Sequence, residues 1–214
     1  MCRSLPSIYL ITDRHQTYRK RDLLETIEEL LQAGVRMIQL REKDLSAAEL
    51  FPLAQELRDL TFSYHSLLLI NDRVDLAQAI NADGVHLGCH SLPIEIVRQV
   101  LGPKFLIGAS THTHSEIELC SRQGADFVTY GPIYFTPSKA AYGKPAGVQS
   151  LQDICIKSSL PIYALGGVKK DNAHEVLEAG ATGIAAISAL VSPPSPTQAF
   201  QDLAKIMIQH KTKA

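Results

Sequence analysis

The sequence predicts one (β/α)8 barrel, a TIM barrel, as a single domain over residues 1–214, and three observations carry that expectation. Short apolar runs alternate with amphipathic stretches along the whole chain, the pattern of parallel strands joined by helical crossovers. A short punctuation recurs before the strands: Gln32-Ala-Gly-Val35, Asn81-Ala-Asp-Gly-Val85, Gln123-Gly-Ala-Asp-Phe127 and Glu178-Ala-Gly-Ala-Thr-Gly-Ile184. Glycine just past a helix supplies a left-handed cap that turns the chain into the next strand, so the copies read as one repeated βα unit. No linker-like stretch divides the chain.

The strands are expected at Ile8–Thr12, Met37–Leu40, Leu67–Ile70, Gly84–Leu87, Phe105–Gly108, Phe127–Tyr130, Ile162–Leu165 and Gly183–Ile187. Helical spacing lies between most of them; Leu23, Ile27, Leu30 and Leu31, for instance, fall on one face. The competing fold is an open doubly wound sheet, which calls for a glycine-rich fingerprint after the first strand. Thr12 instead leads into Asp13-Arg-His-Gln16, and the barrel is preferred.

Composition narrows the function. Hydrophobic residues make up 45% and charged residues 20%, ordinary for a globular protein. A net charge of -1 with both signs interspersed provides no footprint for nucleic acid or an acidic membrane. The one basic run, Arg19 to Arg21, reads as a solvated loop. Cys2, Cys89, Cys120 and Cys155 are scattered without a C-x-x-C pair, which fits reduced thiols. Neither a signal-peptide core nor a membrane-length apolar run is present, and a cytoplasmic protein is expected.

In such a barrel the chemistry lies at the C-terminal ends of the strands. Each expected end here is polar: Thr12-Asp13, then Gln39, Arg41 and Lys43, then Asn71-Asp72, then His86 with Gly88-Cys-His-Ser91. Ser110-Thr-His112, Gly131-Pro132 through Thr136 to Lys139, Gly166-Gly167 and Ser188 complete the ring. Gly166-Gly167 and Ile187-Ser188 occupy the corner where these barrels bind phosphate, glycine letting backbone N–H groups approach the oxygens. Arg41, Lys43 and Lys139 would point into one cavity and repel one another unless an anion such as a diphosphate joins them. Asp72 would hold Mg²⁺ bridged to that anion, or else pair with Arg73 or a nearby lysine. His112 is the candidate general acid/base, with a plain hydrogen-bonding role as the alternative. His86, within a strand, reads as an inward core histidine; His90, His114 and His174 read as exposed.

These segments resemble the thiamine phosphate synthase/TenI superfamily of thiamin biosynthesis nearly end to end. The resemblance runs from Tyr9-Leu-Ile-Thr-Asp13 through Gln39-Leu-Arg-Glu-Lys43, Ile70-Asn-Asp-Arg73 and Ala82-Asp-Gly-Val-His-Leu-Gly88. It continues through Ile107-Gly-Ala-Ser-Thr-His112, Gly131-Pro-Ile133, Thr136-Pro-Ser-Lys139 and Ala164-Leu-Gly-Gly167 to Ile187-Ser-Ala189. For a synthase, the resemblance implies condensation of a hydroxymethylpyrimidine diphosphate with a thiazole phosphate, assisted by Mg²⁺. Arg41, Lys43, Asn71 and Lys139 would then hold the diphosphate with Ser110 nearby, Gln39 the pyrimidine, and Asp72 the metal. Thr136 would touch the thiazole carboxylate, and Gly167, Ile187 and Ser188 the thiazole phosphate.

One position departs from that pattern. The synthase loop after the fourth strand typically ends in a second aspartate ligand for Mg²⁺, where this chain has Ser91 in Leu87-Gly-Cys-His-Ser91. Serine is a weak neutral donor, and imidazole at His90 suits softer metals. Ser91-Leu-Pro93 and the Tyr142-Gly-Lys-Pro-Ala-Gly147 segment look more like the TenI branch, whose members are metal-free thiazole tautomerases with a histidine aligned to His112. The expectation is therefore a tautomerase acting on a thiazole carboxylate phosphate. A thiamine phosphate synthase is the alternative, and a non-catalytic thiazole- or thiamin-phosphate-binding regulator a further one. Family members are often homodimers, and the glycines and prolines of residues 136–147 would permit a hinged loop.

Overall fold

The computed structural model describes residues 5–136 and 144–213. Eight parallel strands close into a barrel in sequence order: β1 (Ile8–Ile11), β2 (Met37–Leu40), β3 (Leu67–Asn71), β4 (Gly84–Leu87), β5 (Leu106–Thr111), β6 (Phe127–Tyr130), β7 (Ile162–Leu165) and β8 (Gly183–Ala186). The helices are α1 (Leu23–Ala33), α2 (Ala47–Ser63), α3 (Val74–Ala79), α4 (Ile94–Leu101), α5 (His114–Gln123), α6 (Gly147–Lys157), α7 (Ala173–Glu178), the short α8 (Ser188–Val191) and α9 (Pro196–Lys213). The (β/α)8 expectation is met.

Four strands end elsewhere than the sequence reading places them: β1 stops one residue early, at Ile11, and the other three differences each move a site residue. β5 runs to Thr111, so Ser110 is a strand residue fixed opposite Thr129 of β6. β3 reaches Asn71, in register with His86 of β4. β8 stops at Ala186, and Ile187 turns out of the sheet (φ −110°, ψ −89°) to precede α8.

The recurring punctuation has a physical origin at the base of the barrel. Asp83 Oδ2 accepts an N–H near the start of the preceding strand, from Leu68 at 2.9 Å, and an Arg58 guanidinium N–H at 2.7 Å. Asp126 Oδ2 repeats this with Ile107 N and Arg98, both at 2.7 Å. Thr182 Oγ1 does so with Ile162 N at 3.2 Å. Each carboxylate or hydroxyl satisfies a backbone donor that the parallel ladder leaves over. The left-handed cap is glycine at Gly34, Gly124 and Gly180, but in the second copy Asn81 takes it, with φ 51°. Asparagine tolerates that region. Gly84, read as part of the cap, lies in β4, where a Cβ would meet the Leu106 carbonyl oxygen at 2.2 Å.

Alternation along each strand builds two cores. Tyr9, Met37, Leu69, Phe127 and Tyr163 fill the barrel, with Phe127 edge-on to both tyrosines. Ile38, Leu68, Val85, Ile107 and Val128 face outward under the helices. Leu23, Ile27, Leu30 and Leu31 are all buried, as their spacing predicts. Among the described residues Cys89 is exposed, Cys155 half-buried and Cys120 buried, all as free thiols; Cys2 lies outside the described residues. No described helix is long and apolar enough to cross a membrane.

Candidate active site

The mouth begins with a clamp between the first two loops. Glu42, its side chain 1% exposed, accepts hydrogen bonds from Thr12 Oγ1 (2.7 Å), Arg14 N (3.1 and 3.2 Å) and Arg14 Nη1 (3.2 Å). Thr12 Oγ1 in turn accepts the Arg41 N–H at 2.9 Å. Arg14 also grips Asp44, whose carboxyl is held far below the ordinary aspartate range by Arg14 first and His15 second. Glu42 thus fixes its neighbours at the edge of the opening. Sequence reasoning misses it, although a signal exists: a charged residue inside a strand-end motif with two cations beside it.

Lys43, Asn71, Asp72 and Ser91 line one cleft of about 330 Å³ together with Glu42, Gly88 and Cys89. Asp72 sits in left-handed backbone (φ 64°), and its N–H donates to the His86 carbonyl at 2.9 Å. Its carboxylate has no hydrogen bond or ion pair among the described residues. The pairing with Arg73 does not form, because Arg73 makes a two-pronged contact with Asp75 at 2.6 and 2.9 Å. Ser91 Oγ accepts the Gly88 N–H at 2.8 Å, and Ser91 N returns a bond to Gly88 O at 3.1 Å. The serine oxygen is therefore committed to holding its own loop. Among the described residues no group of three His, Cys, Asp or Glu side chains could enclose a metal ion.

Beneath this cleft runs a buried polar chain. Gln39 Nε2 donates to Tyr9 Oη at 2.8 Å, Tyr9 Oη lies 3.3 Å from His86 Nδ1, and His86 Nε2 lies 3.0 Å from Ser110 Oγ. His86 is buried as the sequence indicates; burial, and secondarily the Arg41 charge, lower its pKa to about 3, so the ring is neutral. Burial also pushes the Tyr9 hydroxyl far above its ordinary range. Arg41 is half-buried, and its guanidinium has no hydrogen bond or ion pair among the described residues.

His112 stands in the loop after β5, with Nδ1 2.6 Å from the Gly131 carbonyl and its backbone N–H 2.6 Å from Glu116 Oε2. Carbonyl oxygen only accepts, so Nδ1 carries a proton, and in the neutral ring Nε2 would be the nitrogen that keeps its lone pair. Of the other histidines, His90 and His174 are exposed; His114 is only half-exposed, 3.8 Å from Glu118 one turn along α5.

On the far side, Gly166 (φ 95°) and Gly167 (φ 70°) turn the chain out of β7. The β6 loop lies so close that a Cβ on Gly167 would meet Tyr134 Cβ at 2.7 Å. Asn172 fastens this turn, donating to Gly167 O at 3.1 Å and accepting from Lys169 N at 2.7 Å. Ser188 opens onto a different cleft, about 690 Å³, shared with Lys169, Lys170 and Pro193. Thr136 is half-buried after the β6 loop. Lys139, the third predicted cation, lies outside the described residues, as does much of the predicted hinged loop.

Strand ends that bring cations, a carboxylate unpaired among the described residues and a histidine to the C-terminal face are the arrangement of a barrel enzyme. Comparison narrows it. A family model described as thiamine monophosphate synthase matches residues 8–190. A thiamine-phosphate synthase from Synechocystis sp. is 43% identical over 92% of this chain and 56% of its own length. One from Clostridium novyi is 40% identical over 93% of this chain and 97% of its own. A solved thiamine phosphate pyrophosphorylase from Pyrococcus furiosus superposes with a TM-score of 0.86 at 35% identity, covering 95% of this chain and 96% of that one. The chain belongs to the thiamine monophosphate synthase family, enzymes of thiamin biosynthesis.

Proposed function

We propose that this protein is a thiamine phosphate synthase, joining a hydroxymethylpyrimidine diphosphate to a thiazole phosphate with release of diphosphate. The observation that carries the reading is the cleft shared by Lys43, Asn71 and Asp72, whose carboxylate is unpaired among the described residues. A diphosphate would offer anionic oxygens to Lys43 and Arg41, arginine as a fork and lysine as a point charge. The relatives' names favour this activity over the tautomerase expected from Ser91.

In this reading Arg41, Lys43, Asn71 and Lys139 bind the diphosphate, with Ser110 beside it and Gln39 against the pyrimidine. Thr136 meets the thiazole, and Gly167, Ile187 and Ser188 hold its phosphate. The methylene C–O bond breaks and its electron pair leaves with the diphosphate; the thiazole nitrogen lone pair then forms the C–N bond to the pyrimidine cation. Tyr9, Phe127 and Tyr163 seal the barrel below, which excludes water from that side of the cation.

The donor set fits a Mg²⁺ shared with the substrate. One carboxylate unpaired among the described residues, Asp72, plus diphosphate oxygens and water is a common magnesium shell, whereas the neutral Ser91 oxygen, which already accepts the Gly88 N–H, adds little. Bound there, Mg²⁺ would offset the charge developing on the diphosphate. The protein is read as one domain over residues 1–214, working in the cytoplasm on these small phosphorylated substrates, as a homodimer.

One observation favours a second reading. The Ser91 hydroxyl bound to Gly88 leaves the cleft a carboxylate short, while His112 Nε2 in the neutral ring retains a lone pair for proton transfer. That combination suits a metal-free thiazole tautomerase. Purified protein with both synthase substrates, assayed with Mg²⁺ and with a chelator, separates the two. The proposal expects magnesium-dependent thiamine phosphate, and its absence alongside binding of a thiazole carboxylate phosphate overturns it.

A further inference from the structure

The chain Gln39–Tyr9–His86–Ser110 admits one proton order. The Gln39 amide nitrogen is a donor without a lone pair to accept, so Tyr9 Oη accepts at that end, 2.8 Å away. The Tyr9 proton must then go to another acceptor, and His86 Nδ1 stands 3.3 Å off. With Nδ1 accepting, the neutral ring carries its proton on Nε2 and donates to Ser110 Oγ at 3.0 Å. Thr129 Oγ1 also faces Nε2, but at 3.5 Å it is at the limit of hydrogen-bond range. Burial keeps the ring neutral, and the Arg41 charge acts in the same direction. Gly108 completes the arrangement: a Cβ there would meet His86 Nδ1 at 2.6 Å and the Phe127 ring at 2.3 Å, so only glycine in β5 lets the imidazole lie where it reaches Ser110.

We propose that Tyr9 and His86 are positioning residues that set the polarity of two groups at the mouth. They lock the Gln39 amide with Oε1 as the acceptor offered to a bound ring, and they turn the Ser110 hydroxyl proton outward as a donor to an anionic diphosphate oxygen. The reverse order would strand the Tyr9 proton in the fully buried interior and make Ser110 an acceptor facing an anion. What occupies the mouth rests on the synthase reading; the proton order does not.

The test is the ¹⁵N NMR signature of the His86 ring in the intact protein, together with Tyr9→Phe. The wild type is expected to show the Nε2–H tautomer, and Tyr9→Phe a mixture of tautomers. Affinity for inorganic diphosphate should fall about three- to tenfold in that variant, the range of one ordinary hydrogen bond. Affinity for thiazole phosphate, held on the opposite side, should not change. An Nδ1–H ring in the wild type overturns the proposal, and that readout stands even where the variant fails to fold. A folded Tyr9→Phe protein with unchanged diphosphate affinity overturns it too. An Nε2–H ring with the diphosphate effect but no thiamine phosphate formation would remove the synthase reading and leave the positioning chain in place.

Discussion

Replacing Glu42 by glutamine keeps the side chain's shape and removes its charge, at a point where three groups converge on one buried carboxylate. Thr12 Oγ1 and Arg14 N and Nη1 all donate to it. Glutamine has one accepting oxygen, and its NH₂ would face either the Arg14 N–H or its guanidinium, donor against donor. A charge-assisted hydrogen bond contributes about 1.5–3 kcal/mol net. Arg14 is 30% exposed and keeps Asp44, so its share is discounted for solvent screening. The total loss is roughly 2–3 kcal/mol, which for a chain of this size is a Tm lower by about 5–10 °C. The same change loosens Thr12, whose oxygen holds the Arg41 N–H. Displacement of that loop should lower kcat/KM for thiamine phosphate formation by roughly tenfold or more. Thermal unfolding by circular dichroism and steady-state kinetics on one preparation check both effects. A Tm within about 2 °C of wild type, or unchanged kcat/KM, would refute the reasoning that Glu42 clamps the two loops.

The same geometry sets further outcomes. Arg41→Ala removes the guanidinium and should weaken inorganic diphosphate binding about 10- to 100-fold, measurable by calorimetry. Ser91→Asp adds a carboxylate to the cleft that holds Asp72 and should lower the Mg²⁺ concentration giving half-maximal activity several-fold; unchanged Mg²⁺ dependence would show that Ser91 does not face the metal position. Gly108→Ala forces a methyl against the Phe127 ring and should cost about 1–3 kcal/mol by denaturant unfolding. His86 is protonated near pH 6.5 when unfolded but only near pH 3 when folded, so between those values the unfolded state binds the extra proton. Stability therefore falls as pH drops through that window, by up to about 1.4 kcal/mol per pH unit. His86→Gln should flatten that slope in acid-titrated melts.

The barrel is legible in the sequence because its strands and helices bury opposite periodicities, and the repeated Gly and Asp positions mark a recurring backbone need at the base. Gly84 reads wrongly as part of the cap for a local reason: Asn81 adopts the left-handed turn three residues earlier, and Gly84 is required instead by the Leu106 carbonyl. The cluster of Lys43, Asn71, Asp72 and Ser91 is readable, since residues at successive strand ends share one mouth. Two features are not. Glu42 looks like a third mouth charge until its hydrogen bonds to Thr12 and Arg14 are seen. The order of protons through Tyr9 and His86 depends on hydrogen-bond partners 77 residues apart, which no local pattern encodes. Ser91 does mark a departure, yet the tautomerase it points to is less well supported by the relatives than the synthase. One carboxylate unpaired among the described residues is compatible with a magnesium ion whose other ligands come with the substrate.

The most direct test of the account is formation of thiamine phosphate from hydroxymethylpyrimidine diphosphate and thiazole phosphate by the purified protein. Product that appears with Mg²⁺, disappears with chelator and falls sharply in Asp72→Ala is the result predicted. No product with Mg²⁺ and both substrates present, from folded protein that still binds the thiazole phosphate, would contradict it.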